Sequence, residues 1–196
     1  MSEKGVSVAV VTDNNDPDKL GRVRVRLRGH GKRQPSPWAR IAVPMAGKSR
    51  GTYFLPEIDD EVLVAFENGD PAHPYVIGAL WNDRDPPPEG NADGGNDRRL
   101  IRSRKGHQLT FDDGESGAID LRLNDGRCIR LDDQAVTIDD GKGNAISIRS
   151  GSGTIEIRSS RAIAISSPEV SIAAGSSMEL KAAGKLVLKG ALVEIN

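Results

Sequence analysis

The feature that most constrains this chain is a beat of paired aliphatics in its C-terminal third. Ile155/Ile157, Ile163/Ile165, Val170/Ile172, Met178/Leu180 and Leu186/Leu188 recur every seven or eight residues, and Val193/Ile195 end the series. Each pair follows the i, i+2 spacing of one strand face. A pair of buried aliphatics contributes only a few kcal/mol. Ordering eight residues costs roughly 8–16 kcal/mol of backbone entropy. No such unit stands alone, so each must stack on others, as in solenoids.

A solenoid wound by one chain traverses several walls before returning above itself. Seven or eight residues cover one wall. Three chains wound together resolve this: each supplies one wall per level, the pairs meet along a shared axis, and the backbone bonds run between chains. Looser pairs precede the regular ones: Leu109/Phe111, Ile119/Leu121/Leu123, Ile129/Leu131, Val136/Ile138 and Ile146/Ile148. With about eleven levels at ~4.8 Å, the shaft is expected to be roughly 50 Å long. No aromatic residue follows Phe111, which fits a narrow prism.

The first half differs in chemistry. It holds Trp38, Tyr53, Phe54, Phe66, Tyr75 and Trp81, and every proline but Pro168 lies at or before Pro88. Bulky aromatics are expected to fill a globular core there. "GRVRVRLRG" places Val23, Val25 and Leu27 on one face, with Arg22, Arg24, Arg26 and Arg28 on the other. Further strands are expected at 6–11, 38–43, 61–66 and 75–80, with an Asn-Gly turn in "ENGDPAHP". Five short strands suggest a small closed barrel, with the OB-fold as leading candidate. The predicted organisation is a barrel over 1–84, a Pro/Gly/charge-rich linker over 85–100 and a trimeric β-helix over 101–196. The fold class is all-β.

Composition narrows the function. The formal net charge is −1, which argues against bulk affinity for nucleic acid or anionic membrane. Cys128 is the single cysteine, so no intrachain disulfide exists, and it reads as a structural thiol. No apolar run reaches the ~18 residues of a membrane span. The start of the chain does not read as a signal peptide, so synthesis in the cytoplasm is expected. His30, His73 and His107 are scattered beside Gly or Pro and read as loop residues rather than zinc ligands. The pairs Asp112/Asp113, Asp132/Asp133 and Asp139/Asp140 read as turn corners rather than calcium ligands or glycosidase carboxylates. No cofactor is expected, and an enzyme is disfavoured.

Several segments resemble one family. "WARIAVPMAGK", "GTYFLPEIDDEVLVAFENGDP" and "PYVIGALWN", with the prolines that follow, are similar to the OB domain of VgrG spikes and phage baseplate V tail-spike proteins. The later beat is similar to that family's triple-stranded β-helix. The resemblance implies a homotrimeric spike of a contractile injection system, assembled in a virion baseplate or injection particle. It implies a hub and tail tube above the barrel, and transient contact with a target envelope. It departs from the family pattern in beginning almost at the barrel, so either a separate hub exists or the chain is a piece. The 85–100 linker cannot hold a lysozyme domain. No His-x-His follows His107, as an iron-binding tip would have. Leu192, Val193, Ile195 and Asn196 are therefore expected to form a blunt platform for a PAAR-type cap. Ile155, Ile157, Ile163, Ile165, Val170, Ile172, Met178, Leu180, Leu186 and Leu188 are the expected trimer core. Arg22, Arg24, Arg26 and Arg28 are expected to contact the hub or a sister subunit. Two rival readings are a trimeric polysaccharide depolymerase and an OB-fold oligonucleotide-binding protein.

Overall fold

A computed structural model describes residues 5–28 and 36–195. His30 and Asn196 lie outside the described residues. The chain divides into two compact units, 1–96 and 97–196.

The first unit is built from β1 (Val6–Asp13), β2 (Arg24–Leu27), β3 (Arg40–Ile41), β4 (Ala46–Gly47), β5 (Arg50–Gly51), β6 (Glu61–Phe66) and β7 (Pro74–Ala79). Its main sheet runs β2-β1-β6-β7-β3. All neighbours are antiparallel except β3 and β7, which are parallel. The two edges meet through reciprocal bonds: Val23 N–H donates to the Ala39 carbonyl at 3.1 Å, and Ala39 N–H to that of Val23 at 2.7 Å. The barrel is thereby closed, and no long edge stays open. In order around the barrel this is the OB arrangement.

The alternation in "VRVRL" places Val23 and Val25 in the core. They join Ala9, Val11, Ala39, Val62, Val64 and Val76, with Leu27, Ile41, Leu55 and Phe66 at the margin. The expectation of an aromatic core is corrected here. Tyr53, Phe54 and Trp81 are exposed, and Trp38 is half-buried. A five-stranded barrel has so narrow an interior that β-branched side chains fill it, leaving the rings outside. The β6–β7 connection passes through Asn68 (φ 52°) and Gly69 (φ 76°), which uses the Asn-Gly signal as expected.

Asp16 organises the long β1–β2 loop. Its carboxylate accepts bonds from the N–H groups of Asp18 (3.1 Å), Leu20 (3.0 Å) and Arg22 (3.3 Å). The Arg22 guanidinium grips the same carboxylate through Nε (2.9 Å) and Nη2 (2.7 Å).

The second unit opens with seven strands: β8 (Arg98–Arg102), β9 (Gln108–Asp112), β10 (Ala118–Arg122), β11 (Cys128–Asp132), β12 (Ala135–Asp139), β13 (Ala145–Arg149) and β14 (Thr154–Arg158). They form one sheet in strict chain order, a meander of antiparallel hairpins. This corrects the expectation that every level bonds between chains. Over 98–158 each strand pairs with its own neighbours. The cause is local: tight turns such as Asp125–Gly126, with Gly126 at φ 94°, reverse the chain within a few residues. From Ser159 to Ile195 no strand or ladder is present.

Candidate functional site: an uncovered apolar face

The register turns the aliphatic pairs into two continuous columns. One runs Phe111–Ile119–Leu131–Val136–Ile148–Ile155. The other runs Ile101–Leu109–Leu121–Ile129–Ile138–Ile146–Ile157. Cross-strand aliphatic neighbours in this geometry attract one another by a fraction of a kcal/mol per pair. Seven strands at ~4.8 Å give a face about 30 Å tall.

The reverse face is polar. Its central column passes Thr110–Asp120–Arg130–Thr137–Ser147–Glu156. Asp120 meets Arg122 at 2.8 Å and Arg130 at 3.5 Å, and Arg130 meets Asp132 at 2.8 Å. This side is made for water. Cys128 lies on it, half-buried, opposite Arg122.

Nothing in the single chain covers the apolar side among the described residues. Ile119, Leu121, Ile129, Leu131, Ile138, Ile146 and Ile148 are all exposed. An open groove of about 460 Å³ follows the second column and takes in Ile163, so that column continues past β14. The exit is fixed by Asn144, whose Oδ1 accepts from Ser160 N–H (2.9 Å), Ser159 Oγ (3.1 Å) and Ser160 Oγ (3.2 Å).

Beyond that clamp lie Ile163, Ile165, Val170, Ile172, Met178, Leu180, Leu186 and Leu188, all exposed, with Ile165 at 73 %. Leu192, Val193 and Ile195 are equally open, Ile195 at 85 %. Soluble single chains rarely leave so long a run of aliphatics uncovered. The backbone of 163–195 lacks sheet partners as well, and extended peptide groups need them once dry.

The paired acids sit at corners and hold turns, as expected. Asp132 Oδ1 accepts from Gln134 and Ala135 N–H at 3.0 and 2.9 Å. Asp140 Oδ1 accepts from Lys142 and Asn144 N–H at 2.8 and 3.0 Å. His73 Nδ1 lies 3.0 Å from Asp70. His107 Nδ1 accepts from Asn124 N–H at 3.3 Å.

The arginine stripe is divided in role. Arg22 is committed to Asp16 and Asp18. The guanidinium groups of Arg22 and Arg24 lie 5.9 and 4.8 Å from the Trp38 ring centre, a cation–π stack. Arg24 Nε is buried without a hydrogen-bond partner among the described residues. Arg28 pairs with Glu61 at 2.6 Å but is otherwise exposed, as is Arg26.

These carboxylates are held below their ordinary range. For Asp16 the cause is first the Arg22 side chain, then backbone N–H groups, against an opposing effect of burial. For Asp132 it is Arg130, for Asp125 Arg127, and for Asp140 the Asn144 amide. A depressed folded pKa adds stability above the unfolded value near 4 and loses it as pH falls through the folded one. Denaturant midpoints are therefore expected to be flat between about pH 7 and pH 5 and to fall below about pH 4. Arg22→Ala is expected to lower the barrel's midpoint at pH 7 and to weaken its acid dependence. A barrel midpoint that ignores both pH and the substitution would contradict this account.

Comparison with known proteins agrees with both units. The type VI secretion system/phage-baseplate injector OB domain matches residues 7–81, and the phage baseplate V C-terminal trimerisation domain matches residues 99–176. The type VI secretion system spike protein VgrG4b of Pseudomonas aeruginosa is 37% identical over 92 residues, 43% of this chain and 11% of that protein. VgrG5 of the same organism is 36% identical over 86 residues, 40% and 11% of the two chains. The actin cross-linking toxin VgrG1 of Vibrio cholerae is 35% identical over 75 residues, 36% and 7%. The chain thus spans about a tenth or less of the length of these relatives.

Proposed function

The chain belongs to the phage baseplate V family of type VI secretion and phage-baseplate injector proteins, and from that premise we propose that three copies form the rigid central spike of a contractile injection apparatus. The observation that carries this reading is the two-column aliphatic face of Ile101–Ile157 together with the exposed aliphatics that follow it to Ile195. Three such faces turned inward make a triangular prism whose outer walls are the Asp/Arg columns. The buried product is apolar, as obligate interfaces are.

Below the meander, 163–195 would pair its backbone with the other two copies as an intertwined β-helix. Sliding one chain would then break every level at once, which gives the rod its stiffness under axial load. The role is mechanical: a contracting sheath drives the narrow end through the target envelope. The barrel faces a hub and the tube, with Arg26 and Arg28 the stripe members exposed enough to contact them. Leu192, Val193 and Ile195 end the prism in an apolar platform for a small PAAR-type cap. Synthesis in the cytoplasm precedes incorporation into the particle.

The polysaccharide depolymerase reading would need a carboxylate pair free for catalysis. The pairs at the corners instead hold their own turns. The test of the spike reading is the native mass of the chain and its occupancy in purified injection particles. Three times 21.0 kDa and three copies per particle are expected, and Ile195→Asp should leave the trimer intact while releasing the tip protein. A single-copy mass would sink the proposal.

A further inference from the structure

Two patches on the barrel are unused by the reading above. One is an open groove of about 1120 Å³ between the β1–β2 loop and the 43–55 segment. Leu20, Met45, Tyr53 and Phe54 line it, Tyr53 at 75 % and Phe54 at 63 % exposure. Its charges are Lys19, Arg22, Arg40 and Arg50, and its lining among the described residues holds no Asp or Glu. Arg22 is already neutralised by Asp16 and Asp18, which leaves a surplus of cations.

The other patch is the turn Glu57–Asp60, where Ile58 projects at 55 % exposure among three acidic neighbours. The turn is preformed. Glu57 N–H donates to Asp60 Oδ2 at 2.8 Å, Asp60 N–H to the Glu57 carbonyl at 3.2 Å, and Asp59 N–H to that of Val11 at 2.9 Å. A pinned turn loses little entropy on docking.

We infer that the groove of one barrel receives the Glu57–Asp60 turn of a second copy of this chain. The inference rests on the homotrimer proposed above. A closed threefold ring uses a heterologous contact, so each copy must carry two different and complementary patches. The barrel has such a pair: a cationic, aromatic-lined concavity and an acidic convexity with an aliphatic tip. Opposite charges fix the register, and the apolar contact supplies burial. Residues 80–97 extend at most ~60 Å, so copies joined through their second units hold their barrels at millimolar effective concentration. A weak contact is enough under that tether.

Single-stranded nucleic acid, the other occupant an OB groove brings to mind, fits less well. Of the rings lining the groove, Trp38 is already covered by guanidinium groups, which leaves only Tyr53 and Phe54 for a base.

The test places Met45→Cys and Ile58→Cys in one chain, in a Cys128→Ser background, and treats it with a short bis-maleimide. Both sites are exposed, so the barrel should tolerate the changes. Covalent dimers and trimers are expected on a denaturing gel, since a link within one chain leaves the mass unchanged. Arg50→Glu should reduce the linked species about tenfold, and adding Glu57→Lys should restore them. If light scattering gives three times 21.0 kDa but no linked oligomer forms, the groove assignment is wrong and the trimer stands. A mass of 21.0 kDa removes the trimer and this contact together. Linking that ignores the charge reversals, or a Met45→Cys thiol shielded only by added oligonucleotide, also overturns the inference.

Discussion

Ile165→Asp is expected to abolish the trimer at neutral pH. Ile165 is 73 % exposed in the single chain, so a lone copy would accept the change at little cost. In the prism three carboxylates would meet near one axis, away from water. Burying a charge without a partner costs several kcal/mol even after relaxation, so three approach or exceed ~10 kcal/mol. Light scattering should then report 21.0 kDa rather than three times that mass. Part of the penalty is avoided if the carboxyls stay protonated. Their folded pKa would be raised, so the loss should be complete well above the usual carboxylate range and should lessen as pH falls toward 4. A variant that remains a full trimer at pH 7 would remove Ile165 from the axis.

The second large effect concerns the two zones of the second unit. Strands β8 to β14 pair with one another within one chain, β8 and β14 on one side only, whereas 159–195 has no ladder there. In the native assembly, amide hydrogen exchange should be slow in both zones. In the dissociated Ile165→Asp chain, amides of 163–195 are expected to exchange at near-unfolded rates. That is a loss of at least about a thousandfold in protection, equivalent to ~4 kcal/mol. Amides of 108–149 should keep measurable protection, because their hairpins close locally. Uniform loss across both zones would mean that the meander, too, exists only in the assembly.

Much of this architecture was legible in the residues. The "VRVRL" alternation gave the inward side of β2, and the strand expected at 61–66 is β6, Glu61–Phe66. The aliphatic pairs identified the apolar face because period-2 patterning holds whichever neighbour a strand bonds to. That same indifference hid which bonds are internal. The readable signal lay in the spacers. Before Ile155 the pairs are often about ten residues apart, with reversals such as Asn124–Asp125–Gly126. After Ile163 they are seven or eight apart, and the spacers carry Ala, Ser, Lys and single glycines without an Asn-Gly or Asp-Gly turn.

Tyr53, Phe54 and Trp81, expected in the barrel's core, lie outside it, and valines and alanines fill it instead. Composition reports size and apolarity, but the radius of a five-stranded barrel sets which side chains enter. The β4–β5 hairpin has no counterpart among the strands expected from the sequence. Its signal is steric: a Cβ at Gly51 would lie 2.7 Å from the Met45 carbonyl oxygen. The complementarity of the Glu57–Asp60 turn and the cationic groove arises from side chains of separate segments, which no linear pattern encodes.

The lack of any internal ladder after Arg158 has a genetic corollary. A chain that cannot complete its lower portion alone shares the fate of its companions, so one faulty allele product spoils every assembly it enters. With a defective and a sound form made in equal amounts and mixing at random, only about one assembly in eight would be free of the defect. Alleles that damage the barrel's valine interior but leave the late aliphatics intact should still join mixed assemblies and behave as dominant, whereas those that bar the chain from the axis, as Ile165→Asp does, should behave as recessive.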